Sequence, residues 1–304
     1  MDLTPVLLSV IDPSQFGFMA GSCTTFALIS MFHQWLGATD STGSTVRTAL
    51  LAFRKALGFV DHHILVAKLL SLGVNASVVN WVIDFLRGRQ QRLKVNGVFS
   101  DWLEVPAGVP QGTLRGPWLF LAGINDLSLP KGCHMWKFAD DTTVSEVVPP
   151  TNHSTLQQTA DFIHDWSQEN HLQPKPIKCK EARTCFKRTP PCFSQVTIEG
   201  VEFEIVSSAK GLVVVISSDL KWSAHIDSIT TKAAKRLYLL RQLKRAGIAH
   251  SDLVRFYCSV IRSILNMHAR SSIVIYRYIS RKKLNALSVV RYALFFLIVV
   301  TVKV

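Results

Sequence analysis

The run Trp136-Lys137-Phe138-Ala139-Asp140-Asp141-Thr142-Thr143-Val144 decides the fold of this chain. Apolar residues flank two adjacent carboxylates in strand-like alternation, which places Asp140 and Asp141 at the turn of a short β-hairpin. Two like charges side by side repel, and such a pair usually needs a cation. Acidic pairs of this kind hold divalent metals for phosphoryl chemistry. The alternative for an isolated pair is a solvated Asp-Asp turn, so the surrounding sequence has to decide.

The charge of the chain is uneven. Ser228–Val304 carries 15 Lys/Arg against the single Asp252, a net of +14, whereas residues 1–227, with 19 basic and 20 acidic side chains, stand at −1. A localised basic block points to a polyanionic partner, nucleic acid first and anionic lipid second. At 304 residues and 48% hydrophobic content the chain has ample material for a core, and disorder is excluded. The six cysteines, Cys23, Cys133, Cys179, Cys185, Cys192 and Cys258, form no Cys-x-x-Cys pair and read as reduced intracellular thiols. Met1-Asp2-Leu3 lacks the basic flank of a signal peptide. The apolar stretch Tyr292–Val302 falls short of the roughly 20 residues needed to span a bilayer. The expected location is intracellular, cytoplasmic or nuclear, not secreted, and no membrane association is expected.

Hydrophobic spacing predicts helices over Thr24–Leu36, His62–Leu72, Ser77–Leu86 and Ser154–Glu169, with a polar loop from Gly37 to Ser44. Ala49–Phe53 suits a buried strand. Arg92–Val95, Asn96-Gly97 and Val98-Phe99 signal a hairpin, since Asn-Gly supplies positive φ angles. Val196–Ile205 alternates about a Glu199-Gly200 turn, and Leu212–Ile216 is an apolar strand. From Thr230, Ala233, Leu237, Leu240 and Leu243 form an apolar stripe ringed by Lys232, Lys235, Arg236, Arg241, Lys244 and Arg245. Gly247 is placed to end that helix, and Ser251 to cap one running towards Leu265. Mixed strands and helices followed by a basic helical end predict an α+β domain and a small helical domain.

About 25 residues before the acidic pair lies Gly108-Val109-Pro110-Gln111-Gly112-Thr113-Leu114-Arg115-Gly116-Pro117. Together with Phe138-Ala139-Asp140-Asp141, this loop resembles the reverse transcriptases of non-LTR, LINE-like retrotransposons. Further matches are Gln15-Phe16-Gly17-Phe18 with Gly21-Ser22, Asp61-His62-His63-Ile64-Leu65, Val95-Asn96-Gly97 and Ile124-Asn125-Asp126-Leu127. Trp166-Ser167 with Asn170, Lys178-Cys179-Lys180-Glu181, and Asp219-Leu220-Lys221-Trp222 with His225-Ile226 complete the set. The similarity runs from about Asp12 to Leu265.

The resemblance implies a right-hand polymerase fold: partial fingers and a palm with an antiparallel sheet and the Asp-Asp hairpin over 1–227, a small basic helical thumb over 228–265, and a diverged tail over 266–304. It implies an RNA template, a DNA primer and deoxynucleoside triphosphates as partners, two Mg²⁺ ions, and no small-molecule cofactor. Asp140 and Asp141 become catalytic metal ligands. Gln111, Gly112 and Leu57 become the nucleotide- and template-side residues, and Lys232, Lys235, Arg236, Arg241, Lys244 and Arg245 the nucleic-acid contacts.

The family pattern before Asp61-His62-His63 is approximately Asp-x-x-x-Ala-Phe-Asp, and here Ala52, Leu57 and Gly58 replace its two Asp and its Phe. The resemblance thus puts Ala52 at the position of the third metal carboxylate, and removing such a ligand costs on the order of a thousandfold in rate. Asp40 and Asp61 are the nearest acids, and neither is placed to substitute. Other departures are Arg115 in the Gln loop, Ala20 for Pro, Lys210-Gly211-Leu212-Val213, and Asn266-Met267-His268-Ala269. The expectation is a truncated, partly decayed and catalytically impaired reverse transcriptase; the alternatives are a non-catalytic nucleic-acid-binding remnant and a transposon relic without function.

Overall fold

The computed structural model describes residues 4–265 apart from 131, 152 and 213. The expected tail over 266–304, with its apolar stretch, lies outside the described residues. Helices α1 (Thr4–Val10) and α2 (Thr24–Thr42) precede strand β1 (Thr45–Leu51), and α3 (His62–Ser71) and α4 (Ala76–Leu86) follow. A hairpin arm comprises β2 (Gln90–Gln91), β3 (Lys94–Val95), β4 (Val98–Phe99) and β5 (Leu103–Glu104). Then come α5 (Gly116–Gly123), β6 (Cys133–Phe138), β7 (Asp141–Val148) and α6 (Leu156–Glu169). The chain continues through β8 (Lys180–Thr184), β9 (Thr197–Ile198), β10 (Val201–Glu202), β11 (Glu204–Ile205), β12 (Ser208–Gly211) and β13 (Val214–Ser217). It closes with α7 (Ser223–Arg245), α8 (His250–Phe256) and a π-helical turn, Tyr257–Arg262.

A five-stranded sheet, in the order β11-β8-β1-β7-β6, is the centre of the described molecule. Its pairs are antiparallel apart from the short parallel β11–β8 contact. Two cores cover it. One gathers Leu65, Leu69, Val82, Leu119, Phe120 and Ile163 from α3 to α6. The other packs Leu28, Met31, Phe32 and Trp35 of α2 against Trp136, Val214, Leu220 and Trp222. Phe32 stacks on Trp222 at 5.4 Å between ring centroids. None of the described helices is long and apolar enough to cross a membrane.

Several expectations need correction. Residues 37–42 are not a loop: α2 runs on to Thr42 and ends at Gly43 with φ 59°. Burial of Trp35, Leu36 and Thr39 holds this last part of the helix down, and the Thr39 hydroxyl donates to the Trp35 carbonyl at 2.9 Å. The strand expected over Ala49–Phe53 is shifted to Thr45–Leu51, because buried Thr45, Arg47 and Thr48 belong to it despite their polarity. Helix α7 starts seven residues before Thr230, so the composition change at 228 falls inside one helix. Its buried side is His225, Ile229 and Ala233, and Leu237 is 38% exposed. Ser251 lies inside α8, whose N-cap is Ala249. The Asn96-Gly97 turn forms as expected, with φ 49° and 84°.

Candidate active site

Ala139 and Asp140 are the two-residue link between β6 and β7, and Asp141 opens β7. Phe138 pairs with Asp141, and Ala139 takes the unusual φ of 55° that closes the turn. Residues 14–17 brace it along the outer edge of β6. Phe16 N donates to Lys137 O and Lys137 N to Ser14 O, both at 2.8 Å. The Gln15 Oε1 accepts from Gly17 N at 2.8 Å and from Ala139 N at 3.1 Å. A Cβ on Gly17 would fall 2.3 Å from Ala139 N, so this close approach needs glycine. The sequence marked Gln15 and Gly17 only as part of a motif; their hold on the turn became visible with the fold.

Lys137, within the hairpin itself, is 1% exposed and pairs with Asp12 at 2.6 Å. Its ammonium also donates to Leu127 O at 3.0 Å. Burial works to raise the Asp12 carboxyl, but Lys137 and the Ser14 amide outweigh it and hold it below the usual carboxylate range.

Strand β1 runs antiparallel to β7, with Leu51 opposite Thr142 and Leu50 opposite Thr143. Extending that register by one residue sets Ala52 opposite Asp141. Both line a cavity of about 110 Å³, together with Lys178, Lys210, Gly211 and Leu212. Partial burial, then the neighbouring Asp140, push the Asp141 carboxyl above its usual range, and Lys210 opposes the shift. Ala52 is fixed in place: its carbonyl accepts from Lys175 N at 2.8 Å, and Phe53 bridges to Pro174. Lys55, in the same segment, is held at φ 44°, a strained value for a residue with a side chain.

Neither alternative acid reaches this cavity's lining. Asp40 is exposed on α2. Asp61 caps α3, accepting from His63 N at 2.8 Å and Ile64 N at 3.1 Å, and pairs with His171 at 3.1 Å. Among the described residues no group of three His, Cys, Asp or Glu side chains could hold a metal ion. Two carboxylates, one methyl and two lysines do not fit a two-ion centre.

Leu57 and the Gln loop meet each other rather than lining this cavity. Val109 N donates to Leu57 O at 2.8 Å, and Gly108 packs so closely on Gly58 that a Cβ would fall 2.5 Å from the Gly58 oxygen. Arg89 also clamps the Gly108 carbonyl at 2.5 Å. The Thr113 hydroxyl, donating to Pro110 O at 2.9 Å and accepting from Gly116 N at 3.0 Å, closes the loop and leaves Gln111 and Gly112 exposed.

On α7, Lys232, Lys235, Arg241, Lys244 and Arg245 are exposed. Arg236 is not: it is half-buried and donates to the Val260 carbonyl at 2.6 Å. At about 100° per residue, Lys235, Arg241 and Arg245 fall within about 120° of one another, with Lys232 and Lys244 further round on either side. The basic residues do not form a single stripe.

The family profile described as Reverse transcriptase (RNA-dependent DNA polymerase) matches residues 1–205. A profile described as Alkylated DNA repair protein alkB homolog 8, N-terminal, matches residues 222–263. The chain is 29% identical over 262 residues to the probable RNA-directed DNA polymerase from transposon X-element of Drosophila melanogaster, covering 81% of this chain and 28% of that protein. It is 25% identical over 244 residues to the corresponding protein from transposon BS of the same organism, covering 77% and 27%. The chain thus spans less than a third of these curated relatives. Among solved structures, apo telomerase from Candida tropicalis superposes with a TM-score of 0.53 at 12% identity, covering 92% of this chain and 49% of that one. At that identity the likeness concerns the fold alone, which is polymerase-like.

Proposed function

Because the chain belongs to the reverse transcriptase family, we propose that it is an RNA-directed DNA polymerase domain of a LINE-like element whose catalytic centre has lost one wall. The five-stranded sheet is its palm, which with partial fingers occupies residues 1–227, and the basic helical region over 228–265 forms a thumb. Asp140 and Asp141 are the two remaining carboxylates. Gln111, Gly112 and Leu57 stand on the nucleotide and template side. RNA template, DNA primer and deoxynucleoside triphosphates are the ancestral partners.

One observation carries the reading of impairment: Ala52 stands in register with Asp141, where the family pattern has its strand carboxylate. Mg²⁺, which neutralises developing charge in such centres, would have Asp140 and Asp141 as ligands and a methyl group on the third side. Lys178 and Lys210 add positive charge to the same cavity. The residues present therefore support at most weak single-cation binding, and catalysis falls by on the order of a thousandfold. The exposed basic residues of α7 favour a second reading, retained nucleic-acid binding without catalysis.

Primer extension on an RNA template with Mg²⁺ or Mn²⁺ separates these states. The protein is expected to match an Asp140→Ala control, and the triple variant Ala52→Asp/Leu57→Phe/Gly58→Asp to exceed both. Template-dependent extension by the unaltered chain, clearly above the control, would refute the impairment.

A further inference from the structure

The hairpin arm between α4 and the Gln loop has no role in the carboxylate site, yet every residue from 90 to 104 is exposed. Its lower ladder pairs Gln91 with Leu103, and its upper ladder pairs Lys94 with Phe99. Leu93 and Ser100 also exchange hydrogen bonds, each 2.9 Å. The two registers differ by one residue, so Asp101 is a bulge that turns Trp102 to the side of Arg92. Alternation then sorts the arm into two faces. One presents Leu93, Val95, Val98 and Leu103. The other presents Arg92, Lys94, Phe99 and Trp102.

On that second face the cations lie over the rings. The Arg92 guanidinium is 3.9 Å from the Phe99 centroid and 4.4 Å from that of Trp102, and the Lys94 ammonium is 5.0 Å from Phe99. Significant cation–π contacts occur about once per 70–80 residues, so three within this short arm are a concentration. Phe99 is 46% and Trp102 55% exposed. Rings about half exposed, each carrying a cation over one face, match a ligand with flat π-faces along an anionic backbone. A bilayer would instead take the aliphatic face.

We propose that the Arg92–Lys94–Phe99–Trp102 face is a stacking platform for single-stranded nucleic acid. The reading extends nucleic-acid binding to a second surface, and it does not depend on the carboxylates. Bases stack on Phe99 and Trp102 while Arg92 and Lys94 meet phosphates, so affinity is sequence-tolerant and salt-dependent.

Fluorescence anisotropy of the full chain tests this in EDTA, which silences the carboxylate site. The probes are labelled oligo(U) and oligo(dT) of about 20 nucleotides and a duplex of equal length. Phe99→Ala/Trp102→Ala should weaken single-strand binding at least about tenfold, with duplex affinity nearly unchanged. Leu93→Ser/Val98→Ser, on the opposite face of the same arm, should leave both affinities intact and controls for loss of the hairpin. The relative strength of the oligo(U) and oligo(dT) arms identifies RNA or DNA as the preferred strand. Unchanged single-strand affinity in the aromatic variant, an equal loss for duplex, or an equal loss in the Leu93/Val98 variant would overturn the platform. So would hairpin-dependent binding to phosphatidylcholine vesicles with roughly one-fifth phosphatidylserine while oligonucleotide affinity stays constant.

Discussion

The two ends of strand β1 handle charge in opposite ways. At one end Arg47, 3% exposed, meets the fully buried Glu181 at 2.7 Å and donates to Ser154 Oγ and Ser194 O, each at 2.7 Å. Arg183 adds a second cation to Glu181 at 2.7 Å. Glu146, the cross-strand partner of Arg47, accepts from Thr155 N at 2.6 Å and from Ser154 Oγ at 2.5 Å. At the other end Asp141 sits beside Asp140 and opposite a methyl group, its carboxyl pushed up. Charge at the first end is matched group by group within the protein. Charge at the second is countered less closely: Lys210 acts to lower the Asp141 carboxyl, but burial and Asp140 outweigh it. Burial with complete pairing serves the fold, and the less completely paired end is the one proposed as the functional site.

The largest effect should come from the paired end. Glu181→Ala leaves the Arg47 guanidinium buried without its carboxylate and should cost about 3–5 kcal/mol, measured by urea unfolding; a loss near zero would dissolve the contrast. Asp12→Ala orphans buried Lys137 beneath the hairpin. Since Asp12 is partly exposed, a smaller loss of about 2–3 kcal/mol is expected. Its carboxyl is held low in the folded state, so its contribution is present at neutral pH and disappears as pH falls through that lowered value. The Asp12→Ala deficit should therefore shrink in acid, and a pH-independent deficit would place its cause elsewhere.

At the unmatched end, Ala52→Asp adds a third negative charge and should destabilise by about 1 kcal/mol in EDTA, with recovery on adding Mn²⁺. Asp141→Asn should have the smallest effect and the opposite sign. The folded carboxyl is raised, so folding favours its protonated form; that contribution is full at low pH and lost as pH rises through the raised value. The Asn variant should melt slightly above the parent at neutral pH, with the gap closing in acid. A lower melting temperature at neutral pH would mean that Asp141 is already matched.

The unmatched end was legible in the sequence because its signal is local. Phe138-Ala139-Asp140-Asp141 names its own turn, and the proposed loss of a strand carboxylate at Ala52 rests on a seven-residue window. The paired end was illegible because Arg47 and Glu181 lie 134 residues apart and each alone reads as a surface charge. The same distance problem hid the bracing role of Gln15, which touches Ala139 across 124 residues. Local polarity misled at residues 37–42, where buried Trp35 and Leu36 overrule a loop-like composition. Helical spacing placed α7 but not its faces, because which side is buried, and the capture of Arg236 by Val260, depend on packing partners.

Mn²⁺ titration by electron paramagnetic resonance, comparing the unaltered chain with Ala52→Asp, tests the loss of the third carboxylate most directly. Ala52→Asp should bind at least about tenfold more tightly, and Asp140→Ala in the same background should abolish the gain. Equal affinity in the two proteins, or tight binding by the unaltered chain, would contradict the account.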